Sequence, residues 1–262
     1  MKNTFTKRLR TMLHVDFRRM FTMPLIWIMV GACLVMPVLI LVMTTMMDGM
    51  VSVDPQTGAE TVMKGFDSTW QIIGSVSTAE ATMGMDMTAM CNINLLYFFV
   101  SVLVCLFVAE DFRSGYAKNL FTVRAKKVDY VISKTLVCFV GGALMVLAFF
   151  VGTLAGGAIA GLPFAMDGFG VANLVMCALS KVLLMAVFVP IYLIMATIAK
   201  NKGWLSILLS LLVGMFLFMM IPMLSPLDAN VIHVLGCLVG GIALGVGFGA
   251  VSNQILKKTS LV

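Results

Sequence analysis

The sequence is short of charge. Asp, Glu, Lys and Arg make up 11% of its 262 residues, where a soluble globular domain carries about 25%. With 61% hydrophobic residues and a mean hydropathy of +1.05, this excludes a soluble fold. The longest stretch between apolar runs is about 45 residues, too short for a sizeable core of its own, so one integral membrane domain, 1–262, is expected. A G-x-x-x-x-G-K-[ST] loop is missing, which excludes ATP hydrolysis by that route. Histidine is scarce: His14 and His233 are the only two and fall near opposite faces of the expected layout. No H-E-x-x-H and no Ser/His/Asp or Cys/His set occurs, so no catalytic residue is nominated and the chain is not expected to be an enzyme. The six cysteines (33, 91, 105, 138, 177 and 237) form no C-x-x-C, and five lie inside apolar runs. They read as small membrane hydrophobes, with no disulfide framework, metal site or bound cofactor. Carboxylates are absent from mid-span positions and no inverted repeat is evident, which argues against a transporter driven by protons or sodium.

What is present is a series of apolar runs, at 25–47, 92–109, 135–160, 174–199, 203–224 and 231–255. Each approaches or exceeds the roughly 20 residues that cross a bilayer as a helix. The expected fold class is all-α integral membrane with six transmembrane helices. Thr22-Met23-Pro24 supplies a cap and an early proline for the first span, and Pro37 should kink it. A basic N-terminus followed by an apolar run is also the pattern of a signal peptide. Here the run Leu25–Met47 is long and no A-x-A site follows, so an uncleaved first span is expected.

Residues 3–22 place Phe5, Leu9, Met12, Leu13 and Met20 on one helical stripe, with Lys7, Arg8, Arg10, Arg18 and Arg19 over the rest. This predicts a basic amphipathic helix in the headgroup plane, in contact with membrane lipids. Asp16 falls inside the apolar stripe and does not fit it. In the 48–91 loop, Asp54-Pro55-Gln56-Thr57-Gly58 separates two β-prone runs, 50–53 and 60–63, predicting a small hairpin. Ser77-Thr78-Ala79-Glu80 is a capping box that should open a Met-rich helix (Met83, Met85, Met87, Met90) toward the second span.

Lys and Arg set orientation. Residues 2, 7, 8, 10, 18, 19, 113, 118, 124, 126, 127, 134, 200, 202, 257 and 258 all fall at the termini or in the second and fourth loops, which is 16 of the 18. The other side holds Lys64, and Lys181 lies within the fourth span. Both termini are therefore expected in the cytoplasm with the 48–91 loop outside. The net charge of +6 serves orientation and anionic headgroups rather than nucleic acid. Lys181 has two readings: an intramembrane functional charge, or a side chain that snorkels to the outer interface. Gly236, Gly240, Gly241, Gly245 and Gly249 give GxxxG spacings in the sixth span, for packing within the chain or against another subunit.

The one long charged island between spans is 110–134, EDFRSGYAKNLFTVRAKKVDYVISK. Phe112, Tyr116, Leu120 and Val123 share a helical face there, which suits a protein cleft or a headgroup surface. The order of parts resembles the permease of an ABC transporter of the ABC-2, type V exporter-like class, with Glu110, Gly115, Arg124, Tyr130 and Lys134 standing where that family has an acid, a glycine, an arginine, an aromatic and a lysine. Thr122-Val123-Arg124-Ala125 departs from the Pro-x-Ser-Arg-like turn of many members, as does the sizeable loop after span one.

The resemblance implies an N-terminal elbow helix (Phe5, Leu9, Met12, Arg18, Arg19) and a coupling helix around 111–122, in the cytoplasmic loop 110–134. Glu110, Asp111, Phe112, Arg113, Gly115, Tyr116, Leu120 and Arg124 would then couple to a cytoplasmic ATPase subunit, which would bind ATP and magnesium. A second permease copy or a paralogue would complete the path in the cytoplasmic membrane of a bacterium. The expected cargo is an amphipathic or hydrophobic peptide, drug or lipid, moved outward. The alternative is a non-transporting sensor or scaffold that binds a peptide through its outer loop. Within either reading, Glu110 and Asp111 are expected to pair with arginines of the island or the elbow helix.

Overall fold

The computed structural model describes residues 5–53, 60–62, 64–75, 92–122, 126–200, 202–218 and 221–258. The helices are α1 (Phe5–Thr22), α2 (Pro24–Met47), α3 (Leu96–Arg113), α4 (Tyr116–Thr122), α5 (Lys127–Ala160), α6 (Val171–Ala199), α7 (Gly203–Phe218), α8 (Ile221–Leu224) and α9 (Val231–Lys258). Strands β1 (Val51–Val53) and β2 (Glu60–Val62) pair antiparallel with Val51 opposite Val62, as the turn chemistry between them predicts. The capping box at 77–80 and the Met-rich run after it lie outside the described residues.

Local sequence sets the helix ends. Met23 is extended and Pro24 opens α2, where a proline loses no intrahelical bond. Pro37 sits buried within the same helix. Gly161, at φ 71°, stops α5 in the left-handed conformation that glycine adopts without a Cβ clash.

Among the described residues, five helices (α2, the segment Ile93–Arg113 that contains α3, α5, α6 and α9) are long and apolar enough to cross a membrane. The expected fifth span, 203–224, is instead a 16-residue helix, α7, with the four-residue α8 after it. Helical rise makes α7 about 24 Å long, yet it travels much of the bundle: Gly203 lies against Ala109 of α3, and Gly214 lies against Phe98. The helix of the expected third span, α5, begins at Lys127, eight residues before the expected 135, so Asp129, Tyr130 and Lys134 are helical rather than loop residues.

The segment around α3 and the helix α6 are the most enclosed, whereas α2 and α9 leave most of their apolar surface open. Glycines allow the closest crossing. A Cβ at Gly152 of α5 would strike the Leu34 carbonyl of α2, and one at Gly156 would come within 2.8 Å of Val38 Cα. At one end of the bundle, residues 64–75 fold back as a cap. Thr69 donates its backbone N–H to Pro163 O (3.0 Å), and Leu227 N–H bonds Ser75 O (2.9 Å). Trp70 packs edge-on against Phe164, and Ile72 and Ile73 are fully buried.

The glycines of α9 divide. Gly241 and Gly245 press on α6, where an added Cβ would meet Leu183 O at 3.2 Å and Ala186 O at 2.8 Å respectively. Gly249 only touches Val131, and Gly236 and Gly240 meet nothing within 4 Å.

Candidate functional site

The charged island and the N-terminal helix meet at the end of the bundle opposite the cap. On α1, Met12, Asp16 and Met20 recur four residues apart and are all buried. The apolar stripe of α1 therefore packs on α5 rather than into lipid, while Phe5, at its start, stays exposed. Lys7, Arg10, His14 and Arg18 remain on the open side.

Asp16, the misfit of the stripe, is held by α5. Lys134 Nζ donates to Asp16 Oδ1 at 2.9 Å, and Ser133 Oγ donates to Asp16 Oδ2 at 2.6 Å. Lys134 also reaches Asp111 Oδ2 on α3 at 2.7 Å. Asp111 takes two further donors: Arg19 Nη1 of α1 at 2.6 Å and the Tyr130 hydroxyl at 2.8 Å. Asp16, Asp111 and Lys134 are fully buried. Two carboxylates thus face two cations, and the cluster balances its own charge. The Lys134 ammonium lies 3.9 Å from the centre of the Phe107 ring, and the Arg19 guanidinium lies 3.9 Å over Tyr116 at the start of α4. A second pair, Arg8 with Asp129 at 2.9 Å, ties the start of α1 to α5. Lys127 Nζ bonds Leu256 O at 2.7 Å, reaching the end of α9.

Such a cluster fixes geometry. Removing one partner from a buried ion pair leaves the other charge uncompensated, at a cost of about 3–5 kcal/mol. Burial works against the charge on Arg19, but adjacent Asp111 outweighs it and raises the guanidinium pKa. Burial, together with Asp16, pushes the Tyr116 phenol up.

The expected coupling helix around 111–122 is two pieces. Glu110, Asp111, Phe112 and Arg113 form the last turn of α3; Gly115, at φ 72°, breaks the helix; and α4 is the seven-residue Tyr116–Thr122. A continuous helix does not pass a residue held at positive φ. Phe112 and Leu120 pack on the core, and Tyr116 lies under Arg19, so the apolar face is used inside the bundle. What faces outward is Arg113, Lys118, Asn119 and Thr122. Arg124 and Val123 lie outside the described residues. Glu110 reaches Arg113 at 3.6 Å, and Asp111 pairs with the elbow-side arginine, Arg19.

One role escaped the sequence, and one of two open readings does not fit the burial. Lys134 is the hub of the cluster, and its signal was Asp16, a carboxylate on an apolar stripe that needed a buried cation. Lys181 does not snorkel. It is buried, and its Nζ bonds Ser225 Oγ at 3.0 Å and Ser225 O at 3.2 Å. The segment after α8 turns back to within reach of the ammonium, so no extension to the interface is needed.

Among the described residues, no group of three or more His, Cys, Asp or Glu side chains is placed to hold a metal. The five described cysteines are free and buried. The sequence pattern of the family described as "ABC-2 family transporter protein" matches residues 22–217. That span includes Asp111, Tyr130 and Lys134, while Asp16 and Arg19 precede it. No curated protein and no solved structure matches the chain. A pattern that covers most of the sequence, on a bundle of apolar helices long enough to cross a bilayer, identifies the chain as a multi-pass membrane permease of the ABC-2 transporter family.

Proposed function

We propose that the chain is the permease subunit of an ATP-driven exporter, powered by a separate cytoplasmic ATPase that binds ATP and magnesium. α7 and α8 together make the fifth of six spans. Both termini and α4 face the cytoplasm, in keeping with the Lys/Arg distribution. A second permease, identical or related, completes the path, and the cargo is an amphipathic or hydrophobic molecule moved outward.

The observation that carries this reading is the buried cluster Asp16–Lys134–Asp111–Arg19. It joins α4, through the last turn of α3 and the Arg19–Tyr116 stack, to both α1 and α5. A protein seated against the outward edge of α4 would displace α1, α3 and α5 together instead of bending a loose loop. Nucleotide then favours one arrangement by its differential affinity for it.

The test is co-purification. Expressed with a candidate ABC ATPase subunit, the wild-type chain is expected to retain that subunit. The pair Arg113→Glu, Lys118→Glu, which leaves the buried cluster intact, releases it. Equal retention by both would remove α4 as the docking edge; retention by neither would remove the permease–ATPase reading.

A further inference from the structure

Lys181 sits in α6 with no carboxylate paired to it among the described residues, and its ammonium donates to two uncharged atoms of Ser225. An ammonium has three N–H donors, and a buried cation without a counter-charge is most readily relieved by an anion. The segment that holds it is also the keystone of the cap. Ser225 Oγ donates to Ile221 O at 3.0 Å, and Leu227 N–H bonds Ser75 O. Two native thiols rest on the same stretch: Cys177 Sγ donates to Ser225 O (3.5 Å) and Cys237 Sγ to Leu224 O (3.6 Å). The Tyr97 hydroxyl donates to Lys181 O at 3.0 Å and fixes the backbone on the other side.

We propose that Lys181 is an anion-responsive clasp: it holds residues 224–227 and the cap closed through Ser225, and an anionic oxygen group of an amphiphile opens them by taking the place of Ser225 on the ammonium. The ligand class is a carboxylate or a phosphodiester on an apolar body, since the helix that carries the lysine is apolar. This deepens the permease reading by naming a chemical feature of the cargo and rests on that reading. It does not depend on the ATPase, so the two fail separately.

The native thiols report the clasp. The full chain with Cys33, Cys91, Cys105 and Cys138 changed to Ala is placed in nanodiscs of phosphatidylcholine, and labelling of Cys177 and Cys237 by a membrane-impermeant methanethiosulfonate is timed. Labelling is expected to be slow alone, to rise several-fold with oleate or with phosphatidylglycerol, and to stay slow with monoolein, the neutral control. A response to oleate alone assigns a carboxylate; one to phosphatidylglycerol alone assigns a phosphodiester. Lys181→Met is expected to abolish the response and Lys181→Arg to keep it. Ser225→Ala, which keeps the charge, raises labelling without any anion. The proposal is overturned if neither anionic probe speeds labelling, if monoolein acts equally, or if Lys181→Met responds like the parent chain.

Discussion

Two buried lysines in this permease have opposite surroundings. Lys134 faces Asp16 and Asp111, within a cluster whose charges cancel. Lys181 is held by uncharged atoms of one serine. A balanced cluster is costly to open, because every broken pair strands a charge in a medium that does not screen it. An unbalanced one already carries that cost when closed, so opening relieves it. The first suits a joint that must move as a unit, the second a contact that must exchange partners.

The comparison breaks most sharply at Lys134. Lys134→Met leaves two buried carboxylates opposite one arginine, and the loss should be about 3–5 kcal/mol, read as a large fall in the unfolding midpoint of the detergent-solubilised chain. If that variant unfolds where the wild type does, the cluster does not hold the joint. A steric contrast comes next. Gly152→Ala drives a methyl into the Leu34 carbonyl and should cost about 1–3 kcal/mol by overpacking. Gly240→Ala, which adds a Cβ in open space, should be neutral or raise the midpoint slightly through helix propensity. A matching loss at both positions would mean that the α2–α5 crossing is not where the glycines matter.

Among the described residues Lys181→Met strands no carboxylate, so its midpoint should stay within about 1 kcal/mol of wild type or rise. A fall like that of Lys134→Met would erase the distinction between the two lysines. Smallest is Glu110→Lys, on an exposed side chain 3.6 Å from Arg113; surface pairs are worth about 0–1 kcal/mol, and the midpoint should barely move. A large loss there would place the functional carboxylate one residue earlier than Asp111.

The fold was legible where composition and period speak directly. Runs of apolar residues mark the long helices because the bilayer requires every backbone group to bond internally. Asp54-Pro55 and its neighbours marked the hairpin because turn chemistry is local. The joint was half legible. Asp111 could be assigned an arginine partner, since an acid at the end of a span needs one, but the choice of Arg19 required the contact between α1 and α3. Lys134 was hidden because its partners are more than 20 and more than 100 residues away in sequence, and no local period encodes them. The coupling segment was read as continuous because Gly115 weakens a helix without saying how far its φ will turn. The two readings of Lys181 stayed open because its distance from the end of a span can be counted, while the return of Ser225 toward it cannot.

In the proposed coupling, force on α4 reaches α1 through Arg19 and Asp111. Its most direct test is ATP hydrolysis by the ATPase subunit reconstituted with the permease carrying Arg19→Gln. This change also leaves two carboxylates opposite one cation, but Arg19 is partly exposed and Lys134 and Tyr130 stay on Asp111, so the loss should be smaller than for Lys134→Met and the ATPase should still be retained. The permease-dependent part of the hydrolysis rate should fall several-fold. If retention and stimulation both match wild type, Arg19 and Asp111 do not carry the coupling.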